Sequence, residues 1–117
     1  MKHSVLKYPE DIRLSINDIE SYTNTISSYQ SIEDNQLLFD GLCRRFAIIG
    51  EALYQADKLK TLPVTGKVKI IGLRHIIVHD YDTVRAPDLW NIIQTKLPLL
   101  KKETELLLKE LDTANEQ

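Results

Sequence analysis

The sequence predicts an all-α protein, and two observations support this prediction. Apolar residues recur at steps of three and four over most of the 117 residues, which is the spacing of the buried face of an amphipathic helix. One β-branched run, at residues 67–80, could form a buried strand, but no second run of this kind exists to pair with it. We therefore predict one domain at residues 1–117, with a core of about 10–112, folded as an up-and-down bundle of four main helices.

The first predicted helix runs from Asp11 to about Tyr29. Pro9 and the acidic residues Glu10 and Asp11 are typical of a first turn, where proline is tolerated and the helix dipole favours negative charge. Its apolar stripe consists of Ile12, Ile16, Ile19, Tyr22, Ile26 and Tyr29.

The second predicted helix runs from about Ile32 to Asp57, with Ser31 as its N-cap. Gly41 and Gly50 lie inside it, and each is less favourable than alanine by about 1 kcal/mol in a helix interior. We therefore expect both glycines at places where another helix packs closely. The apolar stripe consists of Leu37, Leu38, Leu42, Phe46, Ile49, Ala52, Leu53 and Tyr54.

The second half of the chain predicts a loop and two further helices. Residues 58–66 contain the turn formers of a loop, and residues 67–80 form the third helix. The last helix begins near Ala86 and Pro87, and Pro98 should kink it. Its apolar stripe consists of Leu89, Trp90, Ile93, Leu97, Leu100, Leu107 and Leu111.

The overall charge argues against a protein that coats nucleic acid. The chain carries 15 Lys/Arg and 17 Asp/Glu, a net charge of −2. Residues 41–85 nevertheless carry eight basic and four acidic side chains, so the middle of the chain is its basic part. A patch of this size suits a focused phosphate contact, although solvated helix faces produce similar clusters.

Several features predict a cytoplasmic protein without a membrane segment. No apolar run approaches the roughly 20 residues that span a bilayer, and residues 1–7 lack the apolar core of a signal peptide. The single cysteine, Cys43, excludes an internal disulfide and suits a reducing compartment. We expect Cys43 to be a small buried residue on a helix.

Residues 70–81 concentrate the side chains suited to chemistry. Arg74, His75, His79 and Tyr81 lie in a strongly apolar run, where polar groups are costly unless they are paired or used. On a helix, His75 and His79 share one face and Arg74 lies beside them. Tyr81 falls at or just past the helix end, on a segment that can turn towards the same site.

Three interpretations of these residues compete. Two histidines at this spacing can share a metal ion, but a third ligand is normally needed, only His3 remains, and the arginine repels a cation. Alternatively the residues are structural, with a histidine at the helix C-terminus and Arg74 paired to Glu51 or Asp80.

The third interpretation is cleavage of RNA without a metal or other cofactor. A histidine can take the proton of a 2′-hydroxyl or protonate the leaving 5′-oxygen. An arginine can hold the scissile phosphate and stabilise its growing charge. One histidine and one arginine are few for an acid–base mechanism, so we expect a two-fold homodimer to supply a second pair.

Arg74, four intervening residues, His79 and then Tyr81 resemble the motif of the HEPN superfamily, and the tyrosine is the hallmark of its HepT-like branch. The flanking residues extend the resemblance. Residues 48–52 are similar to the family's second helix, 71–74 to the run into the motif, and 89–90 with 97–100 to the last helix. The resemblance covers residues from about 10 to 110.

This resemblance implies a HEPN-like helical bundle whose active cleft lies at a homodimer interface. It implies a metal-independent endoribonuclease that cleaves tRNA or mRNA as the toxin of a toxin–antitoxin pair. The usual partner is a minimal nucleotidyltransferase (MNT) antitoxin, which can neutralise the toxin by transferring AMP to the motif tyrosine. AMP on Tyr81 would add bulk and negative charge beside Arg74 and His79, where an RNA phosphate must bind.

By position, the resemblance assigns Arg74 as phosphate stabiliser, His79 as general acid–base and Tyr81 as AMP acceptor. The candidate auxiliary residues are His75 and Asp80. His75 departs from the family pattern, since this branch more often has asparagine there. We interpret Glu51 as a structural residue that orients Arg74.

Two other classes of function are alternatives to the ribonuclease toxin. One is a non-catalytic HEPN-type module that binds and serves a nucleotidyltransferase, which RNA cleavage by the isolated protein would exclude. The other is a phosphotransfer bundle with a phosphorylated histidine. That class needs small residues and a lysine after the histidine, and residues 76–78 offer neither.

Overall fold

The computed structural model describes the backbone of residues 2–59 and 67–116 and the side chains of residues 7–58 and 67–113. In this part of the chain all regular structure is helical, which confirms the predicted fold class. Helices α1, α3, α4 and the consecutive pair α5–α6 form the four main units of the bundle, and α2 is short. The helices are α1 Lys2–Thr23, α2 Tyr29–Glu33, α3 Gln36–Leu59, α4 Lys67–His79, α5 Ala86–Thr95 and α6 Leu97–Glu116, with one 3₁₀ turn at Tyr81–Thr83.

The predicted bounds of the first helix are wrong at both ends. α1 begins at Lys2, so Pro9 lies inside the helix instead of in its first turn. Proline removes one backbone hydrogen bond there. The ion pair of Lys7 with Asp11 spans Pro9 at 2.8 Å, and that of Arg13 with Glu10 follows it at 2.7 Å. At the other end the helix stops at Thr23, whose hydroxyl donates a hydrogen bond to the Ile19 carbonyl at 2.8 Å.

The second predicted helix is divided into α2 and α3. Asn35 separates them and caps α3, because its side-chain oxygen accepts a hydrogen bond from the Leu38 N–H at 3.1 Å. The prediction of Ser31 as N-cap is therefore wrong, since Ser31 lies inside α2. Leu37, which the periodicity placed in the apolar stripe, is 84% exposed.

Helices α3 and α4 pack against each other closely at Gly50. A Cβ atom at Gly50 would overlap the Cβ atom of Arg74 and lie 3.0 Å from the Ile70 carbonyl oxygen. The close packing predicted for this glycine is confirmed. At Gly41 a Cβ atom would meet the Tyr22 ring at an ordinary 3.5 Å, so packing does not require glycine there.

The third helix is confirmed as a helix that ends at His79, one residue earlier than predicted. Lys58 and Leu59 belong to α3, and the rest of the predicted loop, 60–66, lies outside the described residues. The predicted kink of the last helix is a break at Lys96, between α5 and α6. Pro98 lies in the first turn of α6, where its missing N–H costs nothing.

The core lies between α1, α3, α5 and the first turns of α6, and α4 covers one side of it. Cys43 is buried, as predicted. No described helix is both long and apolar enough to cross a membrane. The largest fully buried side chains are Phe46, Ile12, Ile16, Ile19, Ile32, Leu42, Ile49, Leu53, Ile70, Leu89, Leu100 and Thr104.

Candidate active site

The two histidines of α4 lie side by side at the surface. Their ring centroids are 4.5 Å apart, and the ring planes are tilted by 51°. Both side chains are exposed, and His79 is the last residue of the helix. The two rings are neighbours because residues four positions apart lie next to each other on the surface of a helix. Two imidazoles this close together can act on one substrate group as proton donor and proton acceptor.

Arg74 lies beside the histidines and is held by α3. Its Nη2 atom is 2.8 Å from Oε2 of Glu51. The other carboxylate oxygen of Glu51 accepts a hydrogen bond from Gln55 Nε2 at 2.9 Å. The sequence left Glu51 and Asp80 as alternative partners, and the structure shows Glu51. Because Glu51 is held from both sides, it restricts the direction in which Arg74 can point.

Arg74 lines a groove between α1, α3 and α4, which we call the arginine groove. Its volume is about 630 Å³. Glu51 and Arg74 form part of the wall, and Gly50 behind them allows α4 to approach α3. The charged side chains that line the groove are Lys7, Asp11, Arg44, Glu51 and Arg74.

Tyr81 points towards the first part of α3. Its hydroxyl donates a hydrogen bond to Oδ1 of Asp40, which also accepts one from Gln36 Nε2 at 2.9 Å. The Tyr81 ring meets Phe39 edge-on, with centroids 5.9 Å apart and planes at 80°. The hydroxyl also contacts the buried thiol of Cys43. The side chain as a whole is 38% exposed, so one side of the ring stays open to solvent.

The surroundings of Tyr81, Asp40 and Cys43 shift the pKa values of these three side chains. Burial of the Tyr81 hydroxyl, followed by its hydrogen bond to Asp40, raises the pKa of the phenol. The Tyr81 hydrogen bond, and then that of Gln36, lowers the pKa of the Asp40 carboxyl. Burial raises the pKa of the Cys43 thiol to about 11, so the thiol is uncharged at neutral pH.

Within one chain the motif residues do not all converge on one point. Glu51 and Asp40 are eleven residues apart on α3, which places the anchors of Arg74 and Tyr81 about 16 Å apart along the helix axis. The structure therefore brings His75 and His79 together and fixes Arg74 and Tyr81 at separate points of α3. Asp80 is exposed in the link between α4 and the 3₁₀ turn.

Sequence reasoning missed Asp40 as the partner of Tyr81. The two residues are 41 positions apart, and no local pattern links them. Arg44 is one of the eight basic residues of positions 41–85, and no sequence motif assigns it a separate role. Among the described residues, no group of three or more His, Cys, Asp and Glu side chains lies close enough to hold a metal ion.

The protein is thus a helical bundle in which one helix carries the arginine and the histidines, and a tyrosine follows that helix. The family model described as "Ribonuclease HepT-like" matches residues 12–107. The chain therefore belongs to the HepT-like ribonuclease family of the HEPN superfamily. No solved structure matches the chain significantly.

Curated relatives from the archaeon Methanocaldococcus jannaschii agree with this family. "Putative RNase MJ1380" is 31% identical, over 91% of this chain and 98% of the relative. "Putative RNase MJ0125" is 25% identical, over 95% of this chain and 97% of the relative. The family and the names of these relatives support a ribonuclease activity in general terms.

Proposed function

We propose that this protein is a metal-independent endoribonuclease toxin of a toxin–antitoxin pair, which cleaves tRNA or mRNA in the cytoplasm. We further propose that an MNT antitoxin neutralises it by transferring AMP to Tyr81. The single observation that carries the proposal is the position of Arg74, held by Glu51 next to an exposed histidine pair, in a member of a ribonuclease family.

The chemistry requires a proton acceptor, a proton donor and a phosphate ligand. His79 takes the 2′-hydroxyl proton or protonates the 5′-oxygen, and His75 lies close enough to perform the complementary transfer. Arg74 uses one nitrogen for Glu51, and a guanidinium has five N–H donors, so others can bind the scissile phosphate. Positive charge fixed beside the phosphate stabilises the negative charge that grows during cleavage.

A homodimer would complete this site. Two copies of α4 related by a two-fold axis place a second set of arginine and histidines near the first. Ile76 and Val78 are 42% and 51% exposed next to the histidines, and apolar side chains of this kind are suited to such an interface.

Modification of Tyr81 by a nucleotidyltransferase requires a group that accepts the phenolic proton. When the phenolic oxygen attacks the α-phosphate of ATP, the new O–P bond forms, the bond to pyrophosphate breaks, and the phenol loses its proton. Asp40 already accepts a hydrogen bond from this hydroxyl and can receive that proton. The attached AMP would place bulk and negative charge just beyond the end of α4, two residues after His79.

The first test is RNA cleavage by the purified protein, Arg74→Ala and His79→Ala, with bulk tRNA and mRNA as substrates in the presence of EDTA. Loss of a general acid–base or a phosphate ligand should lower the rate by about 100-fold or more. Arg13→Ala is the matched control, because Arg13 pairs with Glu10 at 2.7 Å on α1 and does not line the arginine groove. Circular dichroism verifies that each variant is folded.

Equal cleavage by His79→Ala and wild type would show that the proposed mechanism is wrong. No cleavage by folded wild type would favour the non-catalytic module.

The second test measures the intact mass of the protein produced with and without the gene encoded beside its own, where the MNT antitoxin of such a pair is expected. A gain of whole AMP units that is absent in Tyr81→Phe supports AMP transfer to Tyr81. A gain that persists in Tyr81→Phe contradicts it.

A further inference from the structure

The arginine groove contains a positive charge that the proposed catalytic residues do not use. Arg44 lies on the same face of α3 as Glu51, two helical turns earlier, which is about 11 Å along the axis. Its side chain is exposed and opens onto the groove that Arg74 also lines.

The other charged side chains of this groove are paired. Lys7 is 2.8 Å from Asp11, and Arg74 is 2.8 Å from Glu51. Within the part of the chain that the structure describes, Arg44 has no ion pair or side-chain hydrogen bond. The groove therefore carries a net positive charge, and this charge is centred on the arginine that is free to bind an anion.

The helix itself gives a comparison for Arg44. The next residue, Arg45, is partly buried and bridges to Asp18 of α1 at 3.1 Å. Arg45 thus ties two helices together, whereas its neighbour, about 100° further round α3, faces the groove. The two adjacent arginines have different surroundings, and only one of them is available to a ligand.

We propose that the arginine groove is a binding subsite for the RNA strand and that Arg44 contacts the phosphate of a nucleotide next to the cleaved bond. An arginine is well suited to a phosphate because its planar donors match the phosphate oxygens. The ring of Tyr8 also lines the groove and can stack on a base of the same strand. This inference rests on the proposed ribonuclease function, since it assigns the path of the substrate.

The test measures RNA binding and cleavage for wild type, Arg44→Gln and Arg13→Gln. For binding, the probe is a single-stranded 2′-O-methyl RNA oligonucleotide, which lacks the attacking 2′-hydroxyl. We expect Arg44→Gln to bind about tenfold more weakly at low salt. The slope of log K against log salt should become shallower by about 0.7, the contribution of one phosphate contact to a single strand. In cleavage of unmodified RNA, KM should rise while kcat stays close to that of wild type.

The control distinguishes a specific contact from a loss of charge. Arg13→Gln changes the net charge equally, outside the groove, and should keep the wild-type slope. Arg44→Lys should recover part of the affinity, because lysine keeps the charge but not the planar donors. If wild type binds and cleaves RNA while Arg44→Gln and Arg13→Gln behave alike, the groove is not a subsite and only this inference fails. If folded wild type neither binds nor cleaves RNA, the proposed function fails, and the subsite fails with it.

Discussion

At the residue scale, three polar side chains of α4 and the turn after it are positioned by acidic residues of α3. Arg74 pairs with Glu51, Lys67 pairs with Asp57, and Tyr81 donates to Asp40. The pairing of Arg74 with Glu51 agrees with the orienting role that the sequence suggested for this glutamate. Each acidic residue restricts the rotamers of the side chain that it binds. A ligand then has less conformational entropy to remove when it binds.

The Tyr81–Asp40 hydrogen bond predicts a pH dependence of stability. The pKa of Asp40 in the folded protein lies below its ordinary value of 3.8. Its stabilising contribution is therefore complete above about pH 3.8 and is lost as the pH falls through the lower, folded-state pKa. Asp40→Asn lacks this contribution at every pH, so the free energies of unfolding of wild type and variant should converge on acidification.

Urea unfolding of wild type and Asp40→Asn at pH 7, 4 and 3 measures this convergence. Asp112→Asn on the exposed side of α6 is the control for loss of a carboxylate. A difference between wild type and Asp40→Asn that stays constant from pH 7 to pH 3 would contradict the prediction. Tyr81→Phe should behave like Asp40→Asn in part, because Gln36 still donates to the carboxylate.

At the element scale, the antiparallel packing of α3 against α4 decides the geometry of the site. Lys67–Asp57, Arg74–Glu51 and Tyr81–Asp40 follow one another along this pair of helices in opposite chain directions. The close approach at Gly50 sets the distance between the helices, and the three polar contacts set their register.

Two glycine substitutions test this packing. Gly50→Ala places a methyl group against Arg74 and should destabilise the protein by about 1–3 kcal/mol, because the helices must separate. It should also lower RNA cleavage, since Arg74 moves with α4. The control is Gly72→Ala on α4, where a Cβ meets nothing within 4 Å. This change should stabilise the protein by up to about 1 kcal/mol through helix propensity.

Thermal or urea unfolding gives both values. A Gly50→Ala variant as stable as Gly72→Ala would mean that α3 and α4 do not pack as closely as the structure shows. The comparison is informative because both substitutions replace glycine by alanine inside a helix and therefore share the same backbone term.

The elements also show which parts of a helical fold a sequence predicts well. The bounds of the third and last helices agree with the prediction within a few residues. The third is predicted as a helix because no second strand-like run exists to pair with it, and the last because its apolar periodicity and its proline-containing first turn agree. The division between α2 and α3 was missed, because the stripe continues across it while Asn35 caps a new helix. A polar side chain that hydrogen-bonds to the backbone can end one helix and begin another without any change in the apolar pattern. Periodicity alone therefore does not show where such a break lies.

At the scale of the whole molecule, the proposed dimer can be tested through the exposed apolar residues of α4. Ile76→Asp or Val78→Asp should convert a dimer into a monomer and reduce RNA cleavage at least tenfold, because charge in an apolar interface is costly. The control is Leu106→Asp on α6, where the leucine is 57% exposed. Sedimentation velocity measures the mass of each variant.

Wild type that sediments as a monomer while it cleaves RNA would exclude the dimer as a requirement for activity. Monomeric Val78→Asp with full activity would lead to the same conclusion. A dimer that persists in both α4 variants would place the interface elsewhere on the molecule.

The helical class, most of the buried residues and the proximity of His75 to His79 follow from the amino-acid sequence alone. These properties depend on local periodicity, since residues four apart on a helix always lie on one face. The resemblance carried by Arg74, His79 and Tyr81 indicated the HepT-like family, and the family match over residues 12–107 confirms that family.

The arrangement of the helices in space is needed to show that Arg74 pairs with Glu51 and not with Asp80, and that Tyr81 reaches Asp40. It is also needed to show that Arg44 faces the groove while Arg45 bridges to α1. Each of these outcomes depends on how separate helices pack and on their register. Packing distance and register arise where residues of two helices meet, such as Arg74 of α4 against Gly50 of α3. The periodicity of one helix contains no information about which residue of another helix it will face.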